Sequence, residues 1–357
     1  GRKLISAGFD NTVRVWDSEP PKDSAMPRKM AKAADANGER AYGRDLTNYV
    51  AFDAAGTRYA VSGRDGRVVV HDAATDAVVL DIAAHDGASW GISFSPDGES
   101  IASAGWDGFV RVWDLSEGRL RAEFDTGVGV HAVAFHPESS RRLLVGTADG
   151  LVIEWDVAER REVRRFERTA SRFTYSVAWS PDGSLVAAGG FTTGIWVWDA
   201  ATGRSVASLG SDLPTLDFFA KKPKPESVHG ATVYQVAFGK VGDEIRLASA
   251  CWDHKVRVWR VPAAGAKWDT DPMWVGSGHT DYVTAIGFDG NRGHLVSGSL
   301  DKTVRRWDLA TGKSVGTPVR HHGWIWNLAT QPGTARALVS SWYRPAGTTW
   351  LSEAGGR

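Results

Sequence analysis

Cysteine is almost missing from the chain: Cys251 stands alone among 357 residues. One cysteine cannot form an internal disulfide or a thiolate metal centre. It fits a reducing compartment, so the cytoplasm is the expected location. An excess of either charge is missing too. Forty-two basic residues balance forty-two acidic ones, which removes the broad attraction that draws a whole protein to nucleic acid or to an anionic membrane. No apolar run is long enough to cross a bilayer, and the first residues carry no signal-peptide pattern. Catalytic signatures are scarce. There is no His-Glu-x-x-His segment. Gly312-Lys313-Ser314 ends like a phosphate-binding loop, but Trp307 stands where that motif needs its first glycine. No cofactor, no metal site and no enzymatic activity are expected.

Tryptophan, in contrast, is abundant, with 17 copies, and it is periodic. Trp-Asp occurs at Trp16, Trp113, Trp155, Trp198 and Trp307, with variants at His71-Asp72, Trp259-Arg260 and Trp350-Leu351. Successive spacings are 55, 42, 42, 43, 61, 48 and 43 residues, so a base period of 42–43 carries insertions. Each unit repeats one internal order. An apolar strand ends in an aromatic, as in Ile92-Ser93-Phe94. A turn such as Ser95-Pro96-Asp97-Gly98 follows, then a small-residue strand, Ile101-Ala102-Ser103-Ala104-Gly105. A tight turn at Asp107-Gly108 leads into Phe109-Val110-Arg111-Val112-Trp113, and another turn opens a fourth strand. Four short alternating strands per unit cannot bury both faces of their own sheet, but radial packing of successive sheets can.

These residues resemble the WD-repeat family over almost the whole chain. The resemblance implies an all-β protein, a WD-repeat β-propeller in one domain spanning 1–357. Eight Trp-type hairpins are present. The first lacks an innermost strand and the last lacks an outermost one, so the count favours eight blades over seven, the alternative being a seven-bladed ring with the first hairpin left over. Gly1 in place of methionine, directly before a strand pattern, reads as a piece of a longer protein. Insertions at 18–45 and 211–228 read as surface loops, the second offering Phe218-Phe219 beside a basic Pro-rich run, either a partner contact or a mobile loop. The run Arg160–Arg168 fits a charged edge strand better than an RNA contact.

The family also implies a structural hydrogen-bond network of His, Ser, Asp and Trp. Three sets carry over: His85, Ser103, Asp107 and Trp113; His229, Ser249, Asp253 and Trp259; His279, Ser297, Asp301 and Trp307. Their repetition argues against a catalytic triad, because catalysis needs one site. Val145 replaces the serine before Trp155, and Thr192 replaces the aspartate before Trp198; those units should rely on apolar packing.

In this family the residue before the turn aspartate, and the start of the innermost strand, lie on one rim. The first position holds Phe9, Trp106, Phe191 and Trp252, among others. The second holds Trp90, Tyr175, Tyr234 and Trp326, with Tyr282 and Trp324 nearby. Such a concentration of rings points to a surface that binds a protein or peptide, because rigid aromatics dominate interface energetics. Two alternatives stand beside it: a funnel for a small molecule or glycan, and rings that pack on one another and plug the channel. Neither a nucleic-acid nor a membrane partner is expected.

Overall fold

The structure, a computed structural model, describes residues 3–8, 12–17, 47–166, 172–214, 229–289, 293–321, 323–332, 334 and 337–342. Six blades follow one another along the chain, each a sheet of four consecutive antiparallel strands. Blade 1 comprises Thr47–Phe52, Arg58–Gly63, Arg67–Asp72 and Val78–Ala83, in order from the centre outward. Blades 2 to 6 occupy 89–125, 130–165, 174–214, 233–277 and 283–320. One further sheet is composite. Trp324–Thr330 and Ala337–Trp342 form its inner hairpin. Lys3–Gly8 pairs in parallel with Ala337–Trp342, and Thr12–Asp17 lies outermost. The innermost strands touch one another in turn, and the ring closes where Trp324–Thr330 meets Thr47–Phe52.

This arrangement corrects the expected eight blades, and equally the seven-bladed ring with a leftover first hairpin. Six blades are complete, and the first hairpin neither forms a blade nor stands apart. Hydrogen bonding supplies the reason. The hairpin lacks an inner strand, and Ala337–Trp342 offers an open edge, so pairing satisfies backbone groups on both. The segment around Trp350, counted as an eighth unit, lies outside the described residues, as do 18–45 and most of the second insertion. Residues 211–214 of that insertion continue the outer strand Ser205–Pro214. A bulge at Gly210 permits this. Its φ is +121° and an added Cβ would fall 2.3 Å from the Thr193 carbonyl oxygen, so only glycine suits the bend.

The blades taper. Second-strand positions are small and fully covered, as at Ala102, Ala104, Ala248 and Ala250, while Trp198, Trp259 and Trp307 fill space on the third strands. Packing alone leaves the channel-facing edge of each innermost strand without a β partner. Side chains from a neighbouring blade serve that edge at every junction. Asn48 Nδ2 donates to the Ser89 carbonyl at 2.9 Å. Ser93 Oγ accepts from the Phe135 amide at 3.0 Å, and Trp179 Nε1 donates to the Ala134 carbonyl at 3.1 Å. Ser176 Oγ accepts from the Val236 amide at 3.2 Å, and Gln235 Oε1 from the Ile286 amide at 2.7 Å. Thr284 Oγ1 donates to the Ile325 carbonyl at 2.5 Å, and Asn327 Oδ1 accepts from the Val50 amide at 3.1 Å.

Two of the three His-Ser-Asp-Trp sets are joined throughout by hydrogen bonds. His85 meets Asp107 at 3.0 Å and Ser103 at 2.8 Å, and Trp113 Nε1 donates to Ser103 at 3.1 Å. His279 meets Asp301 and Ser297 at 2.8 Å each, and Trp307 Nε1 donates to Ser297 at 2.8 Å. In blade 5, His229 reaches Ser249 at 2.9 Å, but Trp259 Nε1 donates to the Thr270 carbonyl at 3.2 Å. The long connection 261–273 brings that carbonyl over the indole and buries Trp268 against Trp259. Asp253 accepts the Gly230 amide and pairs with Arg257. Where Val145 replaces serine, Trp155 Nε1 is buried with no hydrogen-bond partner among the described residues.

These differences grade three serine-to-alanine substitutions. Ser103→Ala and Ser297→Ala each strand a buried imidazole and a buried indole, at a cost of about 2–3 kcal/mol. Ser249→Ala strands only His229 and costs about 1 kcal/mol. Urea unfolding of the three variants checks the order, and an equal loss in all three contradicts it.

Candidate functional site: the aromatic mouth

The expected rim residues divide into two groups. Trp90, Tyr175, Tyr234 and Trp326 converge with Tyr49 and His131 on the axis of the ring. They sit there because each occupies the start of an innermost strand, where the blades come closest together. His131 is the hub. Its ring stacks on Trp90 at 4.3 Å and meets Tyr175 edge-on at 5.0 Å. Tyr234 stacks on Tyr175 at 5.1 Å and leans on Trp326 at 5.9 Å. The space left between them is about 10 Å³, room for about one water molecule. These rings form a plug.

The second group stays in solvent. Trp106 is 50% exposed, and Tyr282 and Trp324 are 36% exposed. Trp106 lies over Gly129, where an added Cβ would come within 3.1 Å of the indole, and parallel to Phe173 at 6.3 Å. Phe173 stacks on Tyr175 at 5.9 Å. On the other side, Tyr282 stacks on Trp252 at 4.9 Å, and Trp252 on Tyr234 at 6.0 Å. Trp106 and Tyr282 are therefore the two ends of one continuous band that crosses the mouth through the plug rings Tyr175 and Tyr234. Phe191 is half-buried, its amide bonded to the Phe173 carbonyl. Phe9 lies outside the described residues.

Burial sets the electrostatics of the plug. It lowers the His131 pKa to about 4, against a small opposing contribution from its hydrogen bond with the Tyr175 backbone. It pushes the Tyr234 hydroxyl far above the usual phenol range, helped by the nearby Tyr175 and Tyr49 hydroxyls. At neutral pH the plug is uncharged. His71, stacked on Tyr59 in the place of a blade tryptophan, is held to about 4 by burial, and His229 to about 3.

Sequence reasoning missed the polar half of this centre. Asn48, Gln235 and Asn327 line the plug while stitching blades together. Their signal was a polar side chain in an otherwise apolar innermost strand. Among the described residues no group of three His, Cys, Asp or Glu could hold a metal ion, and no helix is long and apolar enough to cross a membrane.

A ring of tapered four-stranded sheets, stitched at the axis and pinned by repeated His-Ser-Trp bonds, defines a WD-repeat β-propeller. The profile described as "IFT122 first beta-propeller" matches residues 47–342, and that of the "WD domain, G-beta repeat" matches residues 1–17. The chain belongs to the WD-repeat β-propeller family that these profiles define. It is 25% identical over 254 residues to the periodic tryptophan protein 2 homolog of Dictyostelium discoideum, covering 70% of this chain and 25% of that one. It is 25% identical over 356 residues to the ribosome biogenesis protein WDR12 homolog of Chlamydomonas reinhardtii, covering 94% and 68%. The WD repeat-containing protein RUP1 of Arabidopsis thaliana is 27% identical over 264 residues, covering 70% and 63%. The chain thus spans about a quarter of the length of the periodic tryptophan protein.

The buried histidines fix a pH response. His71, His131 and His229 titrate lower in the folded chain than in the unfolded one, whose value is near 6.5. The unfolded chain therefore binds more protons, and stability is lost as pH falls from about 6.5 towards 4. Urea midpoints should be level above pH 7 and fall steadily through that window. His131→Phe should make the fall shallower, and an unchanged slope counts against a neutral His131 in the plug.

Proposed function

We propose that this chain is a non-catalytic recognition scaffold that captures a protein or peptide partner on the face carrying Trp106, Tyr282 and Trp324. One observation carries the reading: the exposed Trp106 and Tyr282 end a continuous stack that runs through the rings closing the mouth, and Trp324 is exposed at the start of an innermost strand. Exposed tryptophan held rigid by its neighbours loses little entropy on binding and buries much apolar area. The same observation disfavours the glycan or small-molecule funnel, since about 10 Å³ admits no sugar ring. The names of the relatives support the reading in kind. One is a ribosome biogenesis protein and another, from rice, a small ribosomal subunit protein; we take assembly with other macromolecules as the common theme. A cytoplasmic location, and service as one module of a longer protein, belong to the same proposal.

The test removes the exposed rings and spares the plug. Trp106→Ala/Tyr282→Ala/Trp324→Ala should lose partner capture by about 30-fold or more, as loss of interface hot spots does, with the thermal midpoint little changed. Val79→Ala/Leu120→Ala, which removes exposed apolar groups from outermost strands, should bind as the unmodified chain does. Capture that survives the triple change, or fails equally in both variants, sinks the proposal.

A further inference from the structure

The two ends of the aromatic band stand in opposite electrical surroundings. Asp107 follows Trp106 at the turn and accepts the Asp86 amide, and Glu123 and Asp125 stand on the outer strand paired with the strand that leaves that turn. Arg111 answers two of them, meeting Asp107 at 2.7 Å and Glu123 at 2.6 Å. Asp86 and Asp125 are exposed and make no ion pair among the described residues. Two cations are exposed on this side: Arg172, beside Phe173 one ring in from Trp106, and Arg64, at the matching turn position of blade 1.

The Tyr282 end is basic. His254 packs 5.8 Å from the Tyr282 ring, and Lys255 follows it. Lys302 follows Asp301, which accepts the Thr280 amide two residues before Tyr282. Arg305 lies against Gly278, within 2.8 Å of where a Cβ would stand. Lys255, Lys302 and Arg305 make no ion pair among the described residues. The repeat explains why. Arg305 stands four residues after the turn aspartate, as Arg111 and Arg257 do in blades 2 and 5, and each of those pairs with its aspartate. In blade 6, Asp301 accepts the Thr303 hydroxyl at 2.7 Å in addition to His279 and the Thr280 and Thr303 amides, a donor that Phe109 and Lys255 do not offer at the matching position. The neighbouring strand Ser314–Arg320 has no acid to match Glu123. Asp281 is half-buried and accepts the Tyr282 amide at 2.8 Å.

We propose that the mouth takes a linear segment of a partner protein laid across the rings, its basic end beside Asp86 and Asp125 and its acidic end beside Lys255, Lys302 and Arg305. This rests on the reading of the face as an interaction surface and adds polarity to it. Because Tyr175 also lies 6.3 Å from Trp252, the band runs from Trp106 to Tyr282 in four ring-to-ring steps of 4.9–6.3 Å, the reach of at most about seven extended residues. Because the plug closes the axis, the segment's apolar side chains lie on the rings instead of entering the channel. Opposed charges at the two ends then fix its direction.

A library of random peptides of about twelve residues, selected on the unmodified chain, tests this. Enriched peptides should carry Lys or Arg at one end and Asp or Glu at the other, with aromatic or aliphatic residues between. At low salt, Lys255→Glu/Lys302→Glu and Asp86→Lys/Asp125→Lys should each weaken those peptides by about tenfold or more, with circular dichroism unchanged. Peptides of one charge sign throughout, or binding indifferent to both charge reversals but abolished by Trp106→Ala/Tyr282→Ala, overturn the polarity and leave the face. Failure to enrich any peptide, or binding indifferent to the ring variants as well, overturns the face itself. A single-stranded oligonucleotide that binds more tightly than the enriched peptides would show the band to be a base-stacking platform and overturn the segment.

Discussion

Each innermost strand has one edge paired within its blade and one edge turned to the axis, where no strand can pair with it. Backbone groups left on that edge would be buried and unsatisfied. Side chains of the neighbouring blade answer them at every junction of the ring. Asn327 holds the Val50 amide, Ser93 the Phe135 amide and Gln235 the Ile286 amide. Blade spacing, and with it the width of the mouth, follows from how closely these side chains draw adjacent backbones together.

A narrow axis determines what the rim aromatics can do. Residues that begin innermost strands are crowded inward, so Trp90, Tyr175, Tyr234 and Trp326 pack around neutral His131. Residues one turn further out cannot join them. Trp106 and Tyr282 rest instead on Phe173 and Trp252 and keep a face in solvent. One constraint thus produces both a closed channel and a stack whose end rings, Trp106 and Tyr282, stay exposed. The scaffold reading depends on that pair of outcomes. An open axis would have made a ligand cavity of the same rings.

The repeat was legible because Trp-Asp, the Ser-Pro-Asp-Gly turns and the small-residue strands recur in one register, and each recurrence reflects the same packing demand. Blade count was not, because counting hairpins assigns Lys3–Gly8 and Thr12–Asp17 a blade of their own, whereas strand pairing across the chain joins them to Ala337–Trp342. Sequence also singled out the rim aromatics as a group but could not sort plug from surface. Trp326 and Trp324 are two residues apart on one strand, yet only Trp326 lines the axis. The diverted indole of Trp259 was hidden for a similar reason: the motif residues are all present, and it is a carbonyl from the 261–273 connection that outcompetes Ser249.

The axis is closed by some rings while others stay exposed at its rim. Fluorine resonances of the chain labelled with 5-fluorotryptophan, recorded with a soluble paramagnetic agent, test it directly. Trp106 and Trp324 should broaden strongly while Trp90 and Trp326 keep narrow lines. Comparable broadening of Trp90 and Trp326 would show water and solutes reaching the axis, and would contradict the closed mouth on which the account stands.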